Sequence, residues 1–374
     1  MNIHIVNRCF QENVQSLPVS GRVKAVRTLS KKLAFIVLED TDSKIQIGIR
    51  SSNVPRMFDL VECQGLMASS KTGEKTIWCE NPKIITSNRG DLPGFGQLED
   101  GKLKVEKRYL DILTNPTLKN TLLLRSKVVS TIRRMLYDKN FLEIETPVLS
   151  SVPSGASAKP FVTKSEALNE DFFLRIATEI PLKKSIVAGF ERVFEIGKVF
   201  RNEGVDRTHN PEFTSLEMYQ SYAKLSDMKT WLLEFLIAIG VPVTTSGYDE
   251  VEYDEIVKLH GEDFDKFLVK PTFVYGQPLS QTPLCSARSD GKADRFEFYM
   301  NGYEIANAYQ ELTDPDEQLR RFDGSLEKDD GLIEALKYGC PPLAGMGIGI
   351  ERLVMVLTSS ADIADTIFFP TKRN

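Results

Sequence analysis

The chain has 374 residues, 41% of them hydrophobic and 26% charged, which is length enough for two or three domains with cores of their own and an ordinary globular composition. Its net charge of −5 argues against a generally basic nucleic-acid binder, but the charge is divided: residues 1–105 carry 15 Lys+Arg against 11 Asp+Glu, and the remainder 32 against 41. No apolar run reaches the roughly 18 residues a membrane span needs, and Met1–Phe10 lacks the apolar region of a signal peptide. Five scattered cysteines without a CxxC pair read as reduced thiols of a cytoplasmic protein, against a disulfide framework or zinc site, and only three histidines disfavour a His-rich metal centre.

The split suits local RNA contact by a mildly basic first domain, and chance asymmetry explains it about as well. From Leu17 to Thr86 the pattern predicts five short strands, over Val19–Val26, Leu33–Leu38, Lys44–Ile49, Leu60–Ala68 and Thr76–Ile85. Turn clusters such as Asp40-Thr41-Asp42-Ser43 and Lys71-Thr72-Gly73-Glu74 separate them. Such spacing suggests a small barrel; the oligonucleotide-binding (OB) fold is the commonest, and other small barrels fit nearly as well. A polar stretch, Ser87–Lys104, reads as a linker.

Beyond it, Leu124, Val128, Ile132 and Met135 recur at helical spacing and predict a helix over Asn120–Lys139. A short strand closing on Pro147 follows, then strands over Arg192–Glu203 and Thr214–Tyr222. Arg295–Met300 and Tyr303–Leu312 flank Asn301-Gly302, a strong hairpin signal. A glycine-rich strand, Gly345–Ile350, runs into a helix over Glu351–Ser359. Strands joined by hairpins with helices before and after imply an antiparallel α+β domain. The expected division is 1–86 barrel, 87–105 linker and 106–374 large domain. No P-loop is present, and Gly345-Met-Gly-Ile-Gly349 is not a dinucleotide fingerprint.

Three separated segments stand out in order: Phe141-Leu-Glu-Ile-Glu-Thr-Pro147; Phe200-Arg-Asn-Glu203 with His209-Asn-Pro-Glu-Phe213; and Gly347-Ile-Gly-Ile-Glu-Arg352. Together they resemble the three motifs of the class II aminoacyl-tRNA synthetases. Leu174-Arg-Ile-Ala-Thr-Glu179, Gly189-Phe-Glu-Arg-Val-Phe-Glu-Ile-Gly197 and Glu304-Ile-Ala-Asn-Ala-Tyr-Gln-Glu-Leu312 resemble the lysine enzymes within that class. The resemblance runs from Leu17 to Pro370. It implies a class II antiparallel sheet flanked by helices behind an OB-fold barrel. It also implies ATP-dependent activation of lysine to lysyl-adenylate, transfer to the 3′ end of tRNA(Lys), magnesium as cofactor, and a homodimer.

Carried over residue by residue, the resemblance implies that Arg201 bridges the amino-acid carboxylate and the α-phosphate, which suits a planar guanidinium that holds two oxygens at once. Arg352 is implied on the far phosphate, and Glu203, His209, Asn210 and Phe213 around ATP. Glu297 and Glu304 are implied as the acidic pair for magnesium, a cation content with one or two carboxylates plus phosphates. Glu311 and Tyr219 are implied to hold the lysine ammonium, which tolerates burial only beside a carboxylate and further acceptors. Gly155, Glu179, Asn307 and Gly349 are implied near the rest of the amino acid, with Glu217 and Tyr309 in the same pocket. In the barrel, Phe35, Gln46 and Glu74 are implied as anticodon readers.

Parity adds an expectation of its own. Glu304 and Asn307 lie on opposite faces of an unbroken strand, so both reach one site only across a bulge, expected around Ile305–Asn307. Taken singly, Arg201 would read as a surface ion-pair residue and Phe213 or Phe35 as a core aromatic. Against the family pattern, the chain is expected to lack the usual N-terminal extension, Lys224–Pro283 is short, and Gln277-Pro-Leu-Ser-Gln-Thr-Pro283 leans towards stand-alone lysine ligases that modify a protein. The alternatives are therefore a paralogue that passes lysine to a protein or small molecule, or a non-catalytic RNA-binding paralogue. An aspartate or asparagine enzyme is disfavoured, because Glu311 would repel a negative substrate.

Overall fold

Strict alternation shapes the first unit. Ala34, Ile36 and Leu38 point inward while Leu33, Phe35 and Val37 point out, and Ile45, Ile47 and Ile49 continue the inner face. A computed structural model describes residues 3–41, 43–90, 101–241, 243, 247–323 and 328–371, with the side chains of 101–103 excepted. The chain divides into two compact units, 1–92 and 93–374. Most of the expected linker (91–100) lies outside the described residues, as do Asp42 and residues 242 and 244–246.

In the first unit a helix α1 (Ile3–Arg8) precedes β1 (Val14–Gln15), β2 (Val19–Ser30), β3 (Leu33–Glu39), β4 (Lys44–Ile49), β5 (Leu60–Cys63), β6 (Leu66–Ser69), β7 (Lys75–Cys79) and β8 (Lys83–Thr86). They form one sheet in the order β1-β6-β7-β4-β3-β2-β5-β8, curled on a single core that Ile3 and Val6 of α1 join, as in an OB-fold. The expected strands Leu60–Ala68 and Thr76–Ile85 are each two. At Gln64-Gly65 the chain leaves β2 and β8 for β1 and β7, and the Gly65 amide donates to Ser16 Oγ (3.1 Å) at the crossing.

The second unit opens with α2 (Gly101–Glu106), α3 (Arg108–Thr114) and α4 (Pro116–Asp138). Helix α4 starts four residues before the expected Asn120, because Asn115 caps it, accepting from the Leu118 amide (3.2 Å), and Pro116 fits the first turn. Then come β9 (Leu142–Glu143), β10 (Leu149–Ser150), β11 (Val162–Ser165), β12 (Glu170–Leu174), α5 (Glu179–Val187), β13 (Arg192–Phe200), β14 (Glu212–Ser221), α6 (Leu225–Ala238), β15 (Asp249–Glu252) and α7 (Tyr253–His260). The rest is β16 (Thr272–Tyr275), β17 (Arg295–Met300), β18 (Tyr303–Gln310), α8 (Pro315–Arg321), α9 (Asp330–Leu336), β19 (Leu343–Gly349) and α10 (Ile350–Thr358).

The main sheet has the order β15-β16-β17-β18-β19-β14-β13-β9 and is antiparallel except for its two edge pairs, β15–β16 and β9–β13. Its apolar face carries Phe194, Leu216, Met218, Phe296, Phe298, Met346 and Ile348, covered by Val128, Ile132 and Leu136 of α4, Leu232 and Leu236 of α6, and Leu353 and Val354 of α10. Burial of each large apolar side chain there stabilises the unit by roughly 1.5–3 kcal/mol. The opposite face is polar. Among the described residues no helix is long and apolar enough to cross a membrane.

At the β17–β18 hairpin, Asn301 (φ 54°) and Gly302 (φ 79°) form the turn with both residues left-handed. Tyr299 pairs with Glu304 and Phe298 with Ala306, which leaves Ile305 as the extra residue of a bulge. Ile305 and Ala306 both enter the apolar core, and Glu304 and Asn307 both reach the polar face, as the parity argument required.

Candidate active site

Strand register arranges the polar face in rows. Val193, Tyr219, Gly345, Tyr309 and Arg295 face one another across five strands. The next row is Glu195, Glu217, Gly347, Asn307 and Glu297, and a third brings Gly197, Ser215 and Gly349 together. Glycine recurs in the central column on β19, so the middle of the sheet is a trough walled by longer side chains. The trough is a cavity of about 420 Å³. Neighbouring rows are roughly 7 Å apart, about the reach of an extended lysine side chain.

The acidic end lies where Glu217 of the second row meets Tyr219 of the first, with Glu311 two residues beyond Tyr309. Glu217 accepts from the Thr178 amide (3.1 Å) and from the Tyr219 hydroxyl (3.4 Å). Burial pushes its carboxyl up to about 7, against that amide and with help from the charge on Glu179. Glu311, fully enclosed, is pushed by burial up to about 8, although Lys183 pulls the other way. Its Oε1 lies over Gly345 and receives no hydrogen bond. Burial also raises the hydroxyls of Tyr219 and Tyr309.

The opposite end gathers cations. Arg201 leaves β13 and sets its guanidinium 5.2 Å from the centre of the Phe213 ring, with its buried Nε unpartnered. Arg352 Nη2 lies 3.1 Å from His209 Nε2, and Nη1 lies 3.8 Å from the Glu304 carboxylate. Its place is set by its neighbour: buried Glu351 accepts from the Thr214 amide (2.8 Å) and from Arg125 (3.0 Å), pinning the first turn of α10 to β14 and α4. A floor of glycines, a buried carboxylate at one end and unpartnered guanidinium atoms at the other suit a zwitterion joined to a phosphate.

The model of tRNA synthetases class II (D, K and N) matches residues 100–373. The chain belongs to the class II tRNA synthetases. It is similar to the lysine–tRNA ligase of Mycoplasmopsis fermentans, with 37% identity over 437 aligned positions covering 97% of this chain and 89% of that protein. The lysine–tRNA ligase of Halalkalibacterium halodurans is 35% identical (98% and 88% covered) and that of Aliarcobacter butzleri 37% (95% and 86%).

Within this synthetase the cavity collects nearly all the residues singled out in the large domain. Gly155, Glu179, Arg201, Glu203, His209, Asn210, Phe213, Glu217, Tyr219, Glu304, Asn307, Tyr309, Glu311, Gly349 and Arg352 all line it. Asn210 donates to the Glu212 carbonyl (2.7 Å) and keeps a buried, unpartnered Oδ1. Glu297 does not line the cavity; it is held by Arg295 and by the Tyr299 hydroxyl (2.7 Å). Glu304 is nevertheless close enough to feel its charge, and burial followed by Glu297 raises the Glu304 carboxyl. Among the described residues no group of three or more His, Cys, Asp or Glu side chains converges on one point, so a metal here would rest on two carboxylates.

Three participants were missed by the sequence reading. Lys183 pairs with Glu179 (2.6 Å) and with Glu311 behind the acidic end. Its signal was available: Glu179 and Lys183 stand four apart, the spacing of an ion pair on one helix face. Arg295, two residues from Glu297 on the same face, donates to Asn307 (2.9 Å). Glu351 sat inside the third motif but had no partner visible in sequence.

In the first unit, Phe35 is half-buried on the outer face of β3, edge-on to Trp78 with ring centroids 5.5 Å apart. It is therefore no core residue; the core side of β3 is Ala34, Ile36 and Leu38. Gln46 donates to Thr76 Oγ1 (2.8 Å), so its amide is engaged, and Glu74 is exposed in the turn before β7. Arg50 covers Trp78 at 4.3 Å, a feature unremarked in the sequence.

Proposed function

We propose that this synthetase activates lysine with ATP and transfers it to tRNA(Lys). The single observation that carries the amino-acid choice is Glu311 Oε1, a buried carboxylate oxygen without a donor at the end of a trough lined by Tyr219 and Tyr309. A buried carboxylate oxygen left without a donor is costly, and an ammonium entering along the trough would satisfy it. An aspartate side chain there would be repelled.

With the ammonium at that end, the substrate carboxylate reaches towards Arg201. Its attack on the α-phosphorus, with pyrophosphate leaving, needs no general base because the nucleophile is already ionised. The chain's contribution is orientation and charge neutralisation. Arg201 bridges the reacting carboxylate and α-phosphate, with Phe213 against adenine, Glu203, His209 and Asn210 around the nucleotide, and Arg352 on the outer phosphates. Gly155, Glu179, Asn307 and Gly349 border the α-amino and carboxylate groups. Magnesium, supplied with ATP, would neutralise phosphate charge beside Glu304 and Glu297; two mutually repelling carboxylates fit that cation.

The 1–86 segment is proposed as the anticodon reader, Phe35 offering a half-exposed aromatic edge for base stacking and Glu74 and Gln46 polar contacts. A cytoplasmic homodimer is proposed. The sheet edge at β9, with half-exposed Leu142 and nearby Val148 and Leu149, supports a partner there. The test is ATP–pyrophosphate exchange across twenty amino acids, followed by charging of tRNA. Exchange with lysine alone and charging of tRNA(Lys) are expected; exchange without charging would move the acceptor to a protein or small molecule, and exchange with another amino acid would overturn the assignment.

A further inference from the structure

Lys183 is among the largest fully buried side chains of the protein, yet it does not line the cavity. It rises from α5 one turn after Glu179, and its ammonium sits between the carboxylates of Glu179 and Glu311. Both carboxylates do line the cavity, so the lysine holds them from behind. We propose that Lys183 is a positioning and specificity residue: a built-in ammonium that fixes Glu311 against the wall and leaves the subsite one positive charge short. The inference rests on the lysine reading above.

Charge counting carries it. Lys183 is shared between Glu179 and Glu311, so its one ammonium cannot neutralise both carboxylates, and Glu311 Oε1 is the oxygen without a donor. A single further cation completes the set. A neutral side chain leaves Glu311 Oε1 without a donor. The other groups facing Glu311 add no second cation at that oxygen. They are Glu217 and Tyr219 of β14, Tyr309 of β18, Cys285 at its backbone bridge and Cys340, with Arg295 spent on Glu297 and Asn307. Burial alone would lower the Lys183 ammonium; the two carboxylates instead hold it above its usual range, so it stays charged.

A pH signature follows. In the free enzyme Glu311 takes a proton below its raised titration point, and a lysine ammonium binds only the ionised form. The KM for lysine therefore falls as pH rises through that point and then levels. Without Lys183 the carboxylate is harder to ionise, so the inflection moves up.

The experiment is lysine-dependent pyrophosphate exchange by the full-length enzyme at pH 6 to 9.5, for wild type, K183M and K183R, with melting curves alongside. K183M is expected to raise the lysine KM by about tenfold or more at pH 7 and to move the inflection up by about one pH unit, with the ATP KM unchanged. K183R, which keeps the charge on a different shape, should keep the inflection and raise the lysine KM several-fold. An unchanged lysine KM and inflection in folded K183M would overturn the inference, as would a parallel loss in lysine KM, ATP KM and kcat with the inflection in place, which marks a merely structural residue. If K183M does not fold, K183Q carries the same two readings. Wild-type enzyme that exchanges no lysine would instead overturn the reading beneath it, and the inference with it.

Discussion

Tyr219 lays its ring directly over the backbone of Gly345, so closely that a Cβ at residue 345 would overlap the ring and come within 2.8 Å of Glu311 Oε1. The glycine is thus a space requirement of the acidic end of the trough. Gly345→Ala forces the ring or the carboxylate aside. It should cost roughly 1–3 kcal/mol of stability, the usual penalty for overpacking, and should raise the lysine KM more than the ATP KM. Melting curves and exchange kinetics on the same preparation check both, and an unperturbed lysine KM would remove Gly345 from the pocket.

Arg201 has no carboxylate partner in the salt bridges of the described residues, and its buried Nε is unsatisfied, whereas Arg125, Arg175 and Arg295 are each tied to a glutamate. A guanidinium kept uncommitted in this way is ready for a ligand. Arg201→Gln is expected to lower kcat for exchange by 10²–10³, roughly 2.7–4 kcal/mol of transition-state stabilisation, while the melting temperature changes little. A variant that loses stability and activity together would make Arg201 a structural residue.

How much of this was legible beforehand follows from what each signal depends on. The hairpin and its bulge were readable, because turn chemistry and face parity are local and Glu304 and Asn307 had to share a face. The split of Leu60–Ala68 into two strands was not, since nothing local to Gln64-Gly65 reveals that β5 and β6 pair at different places in the sheet. The start of helix α4 is marked by Asn115-Pro116, a cap signal that lies outside the apolar periodicity beginning at Leu124. The cavity residues came by way of motifs, whereas Lys183 and Arg295 lie outside them, and their partners are set by tertiary packing.

Glu217 makes stability pH-dependent in a definite direction. Its folded carboxyl is raised to about 7, above the unfolded value, so the folded state holds the extra proton in between. The contribution is fully present below the unfolded value, near pH 4.5, and is lost as pH rises through about 7. Glu217→Gln removes the ionisable group while keeping an oxygen for the Thr178 amide. Ligand-free melting curves should therefore show the variant gaining on wild type between pH 5 and 8.5, and a constant difference across that range would refute burial of an uncompensated charge.

Glu304 stands between Glu297 and Arg352, and its raised carboxyl reflects burial and the neighbouring charge of Glu297. A divalent cation relieves that repulsion. Chelation should abolish exchange, and Glu304→Gln should raise the magnesium concentration for half-maximal exchange by about tenfold, because one of only two carboxylates is lost. Equal magnesium dependence in variant and wild type would take Glu304 out of the cation site.

Phe35 tests the barrel separately from the trough. It projects from β3 on the face opposite Ala34, Ile36 and Leu38, so its truncation leaves the core of that unit intact. If it stacks on an anticodon base, Phe35→Ala loses roughly 1–3 kcal/mol of binding, which is about five- to 150-fold in the KM for tRNA. Lysine-dependent pyrophosphate exchange requires no anticodon and should be unchanged. Trp78 lies edge-on to Phe35 and beneath Arg50, so truncating Phe35 frees one side of that ring, and Trp78 fluorescence reports whether the local fold survives. A normal tRNA KM with a shifted Trp78 signal would mean that Phe35 supports the indole and reads nothing.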